Sequence, residues 1–339
     1  MEIAIVGPAG SGKSTLFSAL TGLPADGRGE GIGVGKVPDA RIDKLSEIYR
    51  PKKTTYAEVR FRDPLKASDA GMEKASPQAL ETMRGADLLA VVIPQFLSED
   101  ATGKEAAAIF SAVSQDLVLR DYMTLEKRTE KIAKEGKGSG EADLLRRAIA
   151  LVEAGSPLHG GEWTPEEQAS LRSYRLLSLK PWLAVASVSE AQIASGLDDL
   201  RTVCGSVPLL VVPAALEVEV MQLPKDEREG YFAALGVTEP ALDLFIRTAY
   251  RLMDLVPFFT TGEDEVRAWT IRRGTMAPEA AGVIHSDIQR GFIRAEVISY
   301  DDFMAAGTMA EARKRGTLRL EGKTYLVADG DIINFRFNV

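Results

Sequence analysis

Gly7-Pro8-Ala9-Gly10-Ser11-Gly12-Lys13-Ser14-Thr15, directly after the apolar run Ile3-Ala4-Ile5-Val6, has the spacing of a phosphate-binding P-loop in the strand–loop–helix setting that the motif requires. Each residue type has a separable task. The glycines permit a tight turn whose N–H groups form an anion nest. A helix beginning at Lys13 turns its positive dipole end toward the same anion. The Lys13 ammonium is placed for the β- and γ-phosphates, and the Ser14 hydroxyl for Mg²⁺. Gly7, Ala9, Gly10, Ser11, Gly12, Lys13, Ser14 and Thr15 are therefore the first candidate nucleotide-binding residues.

Working outward, short apolar strands alternate with helical patterns. Glu58 to Phe61, Leu88 to Ile93, Leu183 to Ala186 and Leu209 to Val212 read as strands of a parallel sheet covered by helices on both faces. Leu16, Phe17, Leu20 and Thr21 give the first helix its inner stripe. Residues 22–35, rich in glycine, read as a mobile loop. From about residue 116 to 175 the apolar residues lie among many charges, and Gly136 to Gly140 interrupts them; this predicts two antiparallel helices inserted between strands. The hairpin is either a protruding recognition arm or a layer packed on the sheet. Beyond Pro257 alternation dominates: Val266 to Ile271, Arg294 to Ile298, Lys323 to Val327 and Ile332 to Phe337 read as strands, with Asp329-Gly330 as a turn and one short helix over Pro278 to Ile284.

Composition narrows the function classes. The chain of 339 residues has 45% hydrophobic and 27% charged residues, ordinary for a globular protein, and its length predicts two or three domains. No stretch is apolar enough to span a membrane, and Met1 leads straight into a strand, so neither a membrane partner nor a signal peptide is expected. A single cysteine, Cys204, excludes an intramolecular disulfide framework and fits a cytoplasmic location. His159 and His285 lack partners at ligand spacing, which argues against zinc. The net charge of −8 argues against nucleic-acid binding by the whole surface while leaving room for a local basic patch, for which Arg272, Arg273, Arg313, Lys314 and Arg315 are candidates.

The longest unusual strings carry a family resemblance. Phe258-Phe259-Thr260, Glu265-Val266-Arg267-Ala268-Trp269-Thr270, Ala280-Ala281-Gly282-Val283-Ile284-His285, Gly291 to Ile298, Tyr300-Asp301-Asp302-Phe303, Arg319 to Lys323 and Asp329 to Val339 resemble the YchF/Obg-like ATPases, P-loop NTPases of the translation-factor class. Val37 to Leu45 and Pro51 to Thr54 extend the match. The resemblance implies an α/β fold: a P-loop nucleotide domain over residues 1–115 and 176–256, an inserted helical hairpin over 116–175, and a β-grasp (ubiquitin-like) TGS domain over 257–339. It also implies ATP in preference to GTP, Mg²⁺ as cofactor, and association with the ribosome or its RNA through the TGS domain and the helical arm.

Departures from the family pattern fall on the nucleotide site. The family has Asn-Val before Gly-Lys-Ser, where this chain has Gly10-Ser11. The first switch, Pro24 to Gly33, is short and has no Thr in the family's Pro-Phe-x-Thr context. The Asp-x-x-Gly motif becomes Asp63-Pro64-Leu65-Lys66; Asp63 can serve Mg²⁺ through water, but Pro64 has no N–H and Lys66 lacks glycine's close approach. The base-reading Asn-x-x-Glu becomes Ser187-Val188-Ser189-Glu190, so Ser187 and Glu190 are the base-side candidates, and the later Ser-Ala-Lys becomes Pro213-Ala214-Ala215. A strict guanine reader needs the Asp of Asn-Lys-x-Asp. The reading that results is an ATP-binding protein with slow Mg²⁺-dependent hydrolysis acting in translation or stress. Its alternatives are a non-hydrolysing nucleotide-binding scaffold or a GTP-binding member.

Overall fold

The computed structural model describes residues 1–23, 31–64, 72, 75–135, 139–234 and 239–338. The chain divides into two compact units: Met1–Gly35 with Val59–Phe245, and Lys36–Glu58 with Ile246–Val339.

The first unit is built on a sheet of order β2-β4-β1-β5-β6-β7, comprising β1 (Glu2–Val6), β2 (Ile32–Lys36), β4 (Glu58–Arg62), β5 (Leu88–Pro94), β6 (Trp182–Ser187) and β7 (Leu209–Val212). β1 pairs in parallel with both β4 and β5, and β5, β6 and β7 continue in parallel. Every residue of β5 and β6 is buried, as expected of strands covered on both faces. Helix α1 (Lys13–Thr21) buries Leu16, Phe17 and Leu20. This topology puts the loop after β1, the end of β4 and the end of β6 at the carboxyl edge of one sheet, where open α/β sheets bind ligands.

The 22–35 segment departs from the sequence reading, because its second half is strand β2. Gly33 and Gly35 serve close packing there, not mobility. A Cβ on Gly33 would strike the Thr21 side chain, and one on Gly35 would lie 2.7 Å from the Leu20 carbonyl oxygen and 2.7 Å from the Phe61 ring. Pro24 to Glu30 lies outside the described residues.

The helical insert begins earlier than its charge pattern suggests. Helix α4 spans Lys104–Glu135 and α5 spans Ser139–Glu153; Gly136 to Gly138 lies outside the described residues. Asp100 starts α4, accepting from the Thr102 N–H at 3.0 Å and the Lys104 N–H at 2.9 Å. Phe110, Val113 and Leu117 of α4 and Leu145, Ala148 and Val152 of α5 share one apolar cluster with Val91 and Ile93 of β5. The hairpin is thus packed into the sheet's own core along its base. Asp121 of α4 is buried and accepts from the Leu177 N–H (2.8 Å), the Ser178 N–H (2.6 Å) and the Ser178 hydroxyl (2.7 Å), fixing the turn that leads into β6.

Helices α3 (Pro77–Gly85), α6 (Pro165–Arg172), α7 (Asp198–Cys204), α8 (Ala214–Val220), α9 (Lys225–Ala234) and α10 (Ala241–Leu252) complete this part of the chain, and α10 runs on into the second unit. Glu217 of α8 is buried, and its carboxylate accepts from the first N–H groups of α10, Ala241 at 2.5 Å and Leu242 at 3.2 Å. Burial outweighs these bonds and pushes the carboxyl up to about 7 from 4.5. Because the folded state holds this proton more tightly than the unfolded chain, the associated stability is full below about pH 4.5 and is lost as pH rises through about 7. The loss is on the order of 3 kcal/mol. Urea midpoints at pH 5 and pH 8 are expected to show a fall that Glu217→Gln removes; an unchanged pH slope in the variant contradicts this.

The second unit is a mixed sheet of order β11-β10-β12-β8-β9-β3, with β3 (Lys53–Thr55), β8 (Leu255–Thr261), β9 (Glu265–Arg272), β10 (Phe292–Ser299), β11 (Arg319–Glu321) and β12 (Asp331–Phe337). Counting its C-terminal strands in chain order, the arrangement is 2-1-5-3-4 with the parallel pair β12 and β8 at its centre, the β-grasp order. The sequence reading assigns residues 36–58 to the nucleotide domain, whereas here they lie in the second unit: β3 pairs in parallel with β9, and helix α2 (Ala40–Tyr49) stacks Tyr49 on Phe303.

Two further expectations change. Lys323 to Val327 is not a ladder strand: Leu326 makes a single bridge to Met276, and β11 pairs with β10 instead. Where one helix is expected there are four, α11 (Ala277–Ile284), α12 (Ser286–Arg290), α13 (Tyr300–Ala306) and α14 (Met309–Arg315). The last two are announced by caps: Ser299 accepts from the Asp302 N–H and Thr308 from the Glu311 N–H, a spacing visible in sequence. Among the described residues no helix is long and apolar enough to cross a membrane.

Candidate nucleotide-binding site

The β1 strand enters the loop fully buried, and three glycines then take positive φ, Gly7 at 148°, Gly10 at 71° and Gly12 at 91°. Gly7 is also sterically required, and Gly12 is closely packed. A Cβ on Gly7 would strike the Val92 carbonyl oxygen of β5, and one on Gly12 would sit 2.8 Å from the Ser187 hydroxyl. Helix α1 starts at Lys13 without an acidic residue in its first turn, leaving its N–H groups and dipole for an anion. Ala9 and Gly10 are exposed at the loop's crest, while Ser14 and Thr15 are half-buried in the first turn.

Lys13 is buried, and its ammonium donates to the Pro8 carbonyl oxygen at 2.6 Å. Burial lowers its pKa, opposed by the Asp63 carboxylate. Asp63 closes β4, is itself buried, and its Oδ2 accepts from the Ser14 hydroxyl at 3.2 Å. Its backbone N–H donates to the Gly31 carbonyl at 2.8 Å. A buried cation, a hydroxyl and a carboxylate are therefore gathered beside an anion nest. Lys66, on which the sequence comparison also turns, lies outside the described residues.

Ser187 ends β6, buried against Gly12. Glu190 is exposed at the start of a short 3-10 turn, Glu190–Gln192, whose geometry is fixed by Gln192 accepting from the Ser189 N–H at 3.1 Å. The structure thus brings Ser187 to the loop and leaves Glu190 facing solvent. Pro213 and Ala214 follow β7 and open α8. One residue escaped the sequence reading. Phe96 is 39% exposed, and its ring lies 3.7 Å from where a Gly12 Cβ would be. An aromatic two residues after a buried strand that neighbours the P-loop strand is a signal that sequence inspection can catch.

The Ser11 hydroxyl is fully buried beneath the loop with no hydrogen-bond partner among the described residues. An unmet buried hydroxyl costs about 1–3 kcal/mol. Ser11→Ala is accordingly expected to raise the thermal midpoint by a few degrees while leaving nucleotide affinity within about twofold. A fall in the midpoint contradicts this account of the loop's underside.

Known proteins resemble the whole chain. The family model YchF-GTPase_C, described as a protein of unknown function (DUF933), matches residues 255–338, beginning where β8 begins. The ribosome-binding ATPase YchF of Bacillus subtilis is 37% identical over 365 residues, covering 100% of both chains. The protein of the same name from Escherichia coli O157:H7 is 35% identical over 361 residues, covering 100% of this chain and 99% of its own. Among solved structures, the YchF GTPase of Schizosaccharomyces pombe superposes with a TM-score of 0.88 at 26% identity, covering 99% of this chain and 97% of that one. End-to-end similarity of this degree, on a P-loop sheet followed by the matched C-terminal domain, places the chain in the YchF family.

Proposed function

We propose that this protein binds ATP at the P-loop, hydrolyses it slowly with Mg²⁺, and acts as a ribosome-associated regulator. The observation that carries this reading is the cluster of Lys13, Ser14 and Asp63 in a chain that aligns throughout with relatives named ribosome-binding ATPases. Phosphoryl transfer needs positioning and charge neutralisation more than covalent chemistry, and this cluster is suited to both.

The donor set fits Mg²⁺, a hard cation that takes oxygen ligands and keeps several waters. Ser14 and Asp63 are the residues that would hold it. When bound, the ion neutralises charge on the β- and γ-phosphate oxygens. Lys13 leaves the Pro8 carbonyl for the phosphates, while the loop N–H groups and the start of α1 hold the remaining oxygens. Phe96 presents an exposed ring beside Gly12 as a stacking face for the base, next to Ser187.

Slow turnover is the expectation from the sequence, where Asp63-Pro64-Leu65-Lys66 stands in place of the family's Asp-x-x-Gly. Pro64 follows Asp63 and brings no N–H to the segment that senses the γ-phosphate. The name of the S. pombe relative favours a second reading, in which GTP is bound. Multiple-turnover phosphate release from ATP, with and without Mg²⁺ and ribosomes, tests the proposal together with co-sedimentation on ribosomes. Expected are slow, Mg²⁺-dependent release and co-sedimentation; release from neither nucleotide, or no ribosome association, overturns the corresponding part.

A further inference from the structure

The amino-terminal edge of the first unit's sheet, opposite the P-loop, carries a cavity of about 450 Å³. It lies where Trp182 begins β6 and Val207 leads into β7, and it is lined by the first half of α4, the end of α7 and the short turn Leu158–Gly160. Open α/β sheets bind their ligands at the carboxyl edge, where the P-loop, Asp63 and Ser187 lie, so this cavity is no part of the nucleotide site. Its volume is within the range of small-molecule sites.

The lining disfavours charge. Among the described residues that line the cavity, none is Asp, Glu, Lys or Arg. Burial pushes the Cys204 thiol up to about 12. Burial also lowers the pKa of His159, against the pull of the Ser178 and Lys180 carbonyls. Both groups are therefore uncharged at pH 7. An ionised ligand would give up water here with no counter-charge to replace it.

Shape and polarity are selected as well. Phe110 and Trp182 are buried in the inner wall, and the His159 ring meets Trp182 edge-on with centroids 5.0 Å apart, an arrangement that another flat ring can extend. The polar atoms of this pair are already engaged: Trp182 Nε1 donates to the Leu177 carbonyl at 3.1 Å, and His159 Nδ1 lies 3.1 Å from the Ser178 carbonyl. The Ser114 hydroxyl of α4 is different. It is buried with no hydrogen-bond partner among the described residues, and rotation about one staggered bond offers it to a ligand. Val203 of α7, another lining residue, leaves 44% of its surface open.

We propose that this cavity binds a small, uncharged, flat heteroaromatic molecule, its ring against Phe110 and Trp182 and its N–H or O–H group on the Ser114 hydroxyl. It is a second ligand site, and it does not depend on which nucleotide the P-loop holds.

The test uses the full-length protein with indole as the probe and affinity read from a ligand-observed NMR titration. Tryptamine and indole-3-acetate carry the same ring with one added charge of either sign. Indole is expected to bind with a Kd of about 0.1–1 mM, and both charged congeners about tenfold more weakly. Val203→Trp, which crowds the cavity from α7, is expected to weaken indole binding about tenfold, and Ser114→Ala about threefold. Leu119→Trp, a similar change at an exposed α4 position outside the cavity, should leave the affinity unaltered. Excess ATP with Mg²⁺ should not displace the probe. Thermal midpoints establish that each variant is folded. No binding of indole, equal binding of the charged congeners, or unchanged affinity in Val203→Trp or Ser114→Ala overturns the assignment. Displacement by ATP does so too, since indole would then be sitting beside Phe96 at the P-loop.

Discussion

Replacing Lys13 by alanine is expected to weaken binding of a nucleoside triphosphate by about a hundredfold, because hydrogen bonds to charged groups are each worth about 1.5–3 kcal/mol and the lysine serves two phosphates. The fold should survive. The ammonium is buried at a cost that lowers its pKa, and its resting partner, the Pro8 carbonyl, sits at the half-buried start of the loop. Competition with a fluorescent ATP analogue measures the affinity, and a thermal melt measures the fold. A variant that binds as the unaltered protein does would mean that the anion nest and helix dipole hold the phosphates without the lysine. A variant that unfolds would mean that Lys13 is chiefly a structural tie.

The largest loss of stability is expected at Asp121→Ala. This carboxylate, placed on α4, accepts three hydrogen bonds from Leu177 and Ser178, and its removal leaves two buried backbone N–H groups without partners. Each unmet group costs about 1–3 kcal/mol, giving a total of about 3 kcal/mol and a fall of roughly 6–12 °C in the thermal midpoint. The effect should reach the nucleotide site only indirectly, since the turn that Asp121 fixes leads into β6, whose far end carries Ser187. A midpoint within a degree or two of the unaltered protein contradicts this reading of the joint between hairpin and sheet.

Elements whose physics is local were legible before any coordinates. The P-loop could be read because glycine spacing, Lys13 and Ser14 act within one turn, and the buried strands because a continuous apolar run has few alternatives. Long-range pairing was not legible. Gly33 and Gly35 look like flexibility in sequence and are close-packed against Thr21, Leu20 and Phe61 in space. Lys53–Thr55 gives no sign that it pairs with β9, more than two hundred residues later. Lys323 to Val327 alternates like a strand, yet the ladder beside β10 is taken by Arg319–Glu321. At the site, the position of Asp63 after a strand suggested its meeting with Ser14. Phe96 carries a weaker signal, an aromatic two residues after the buried strand beside β1, with no motif attached to it.

The most direct test of the central claim is calorimetric titration of the purified protein with ATP and with GTP, each in Mg²⁺ and in chelator. The account predicts one site per chain, ATP bound more tightly than GTP, and a loss of affinity for both in Lys13→Ala. Absence of binding by either nucleotide, or binding that Lys13→Ala leaves unchanged, would contradict it.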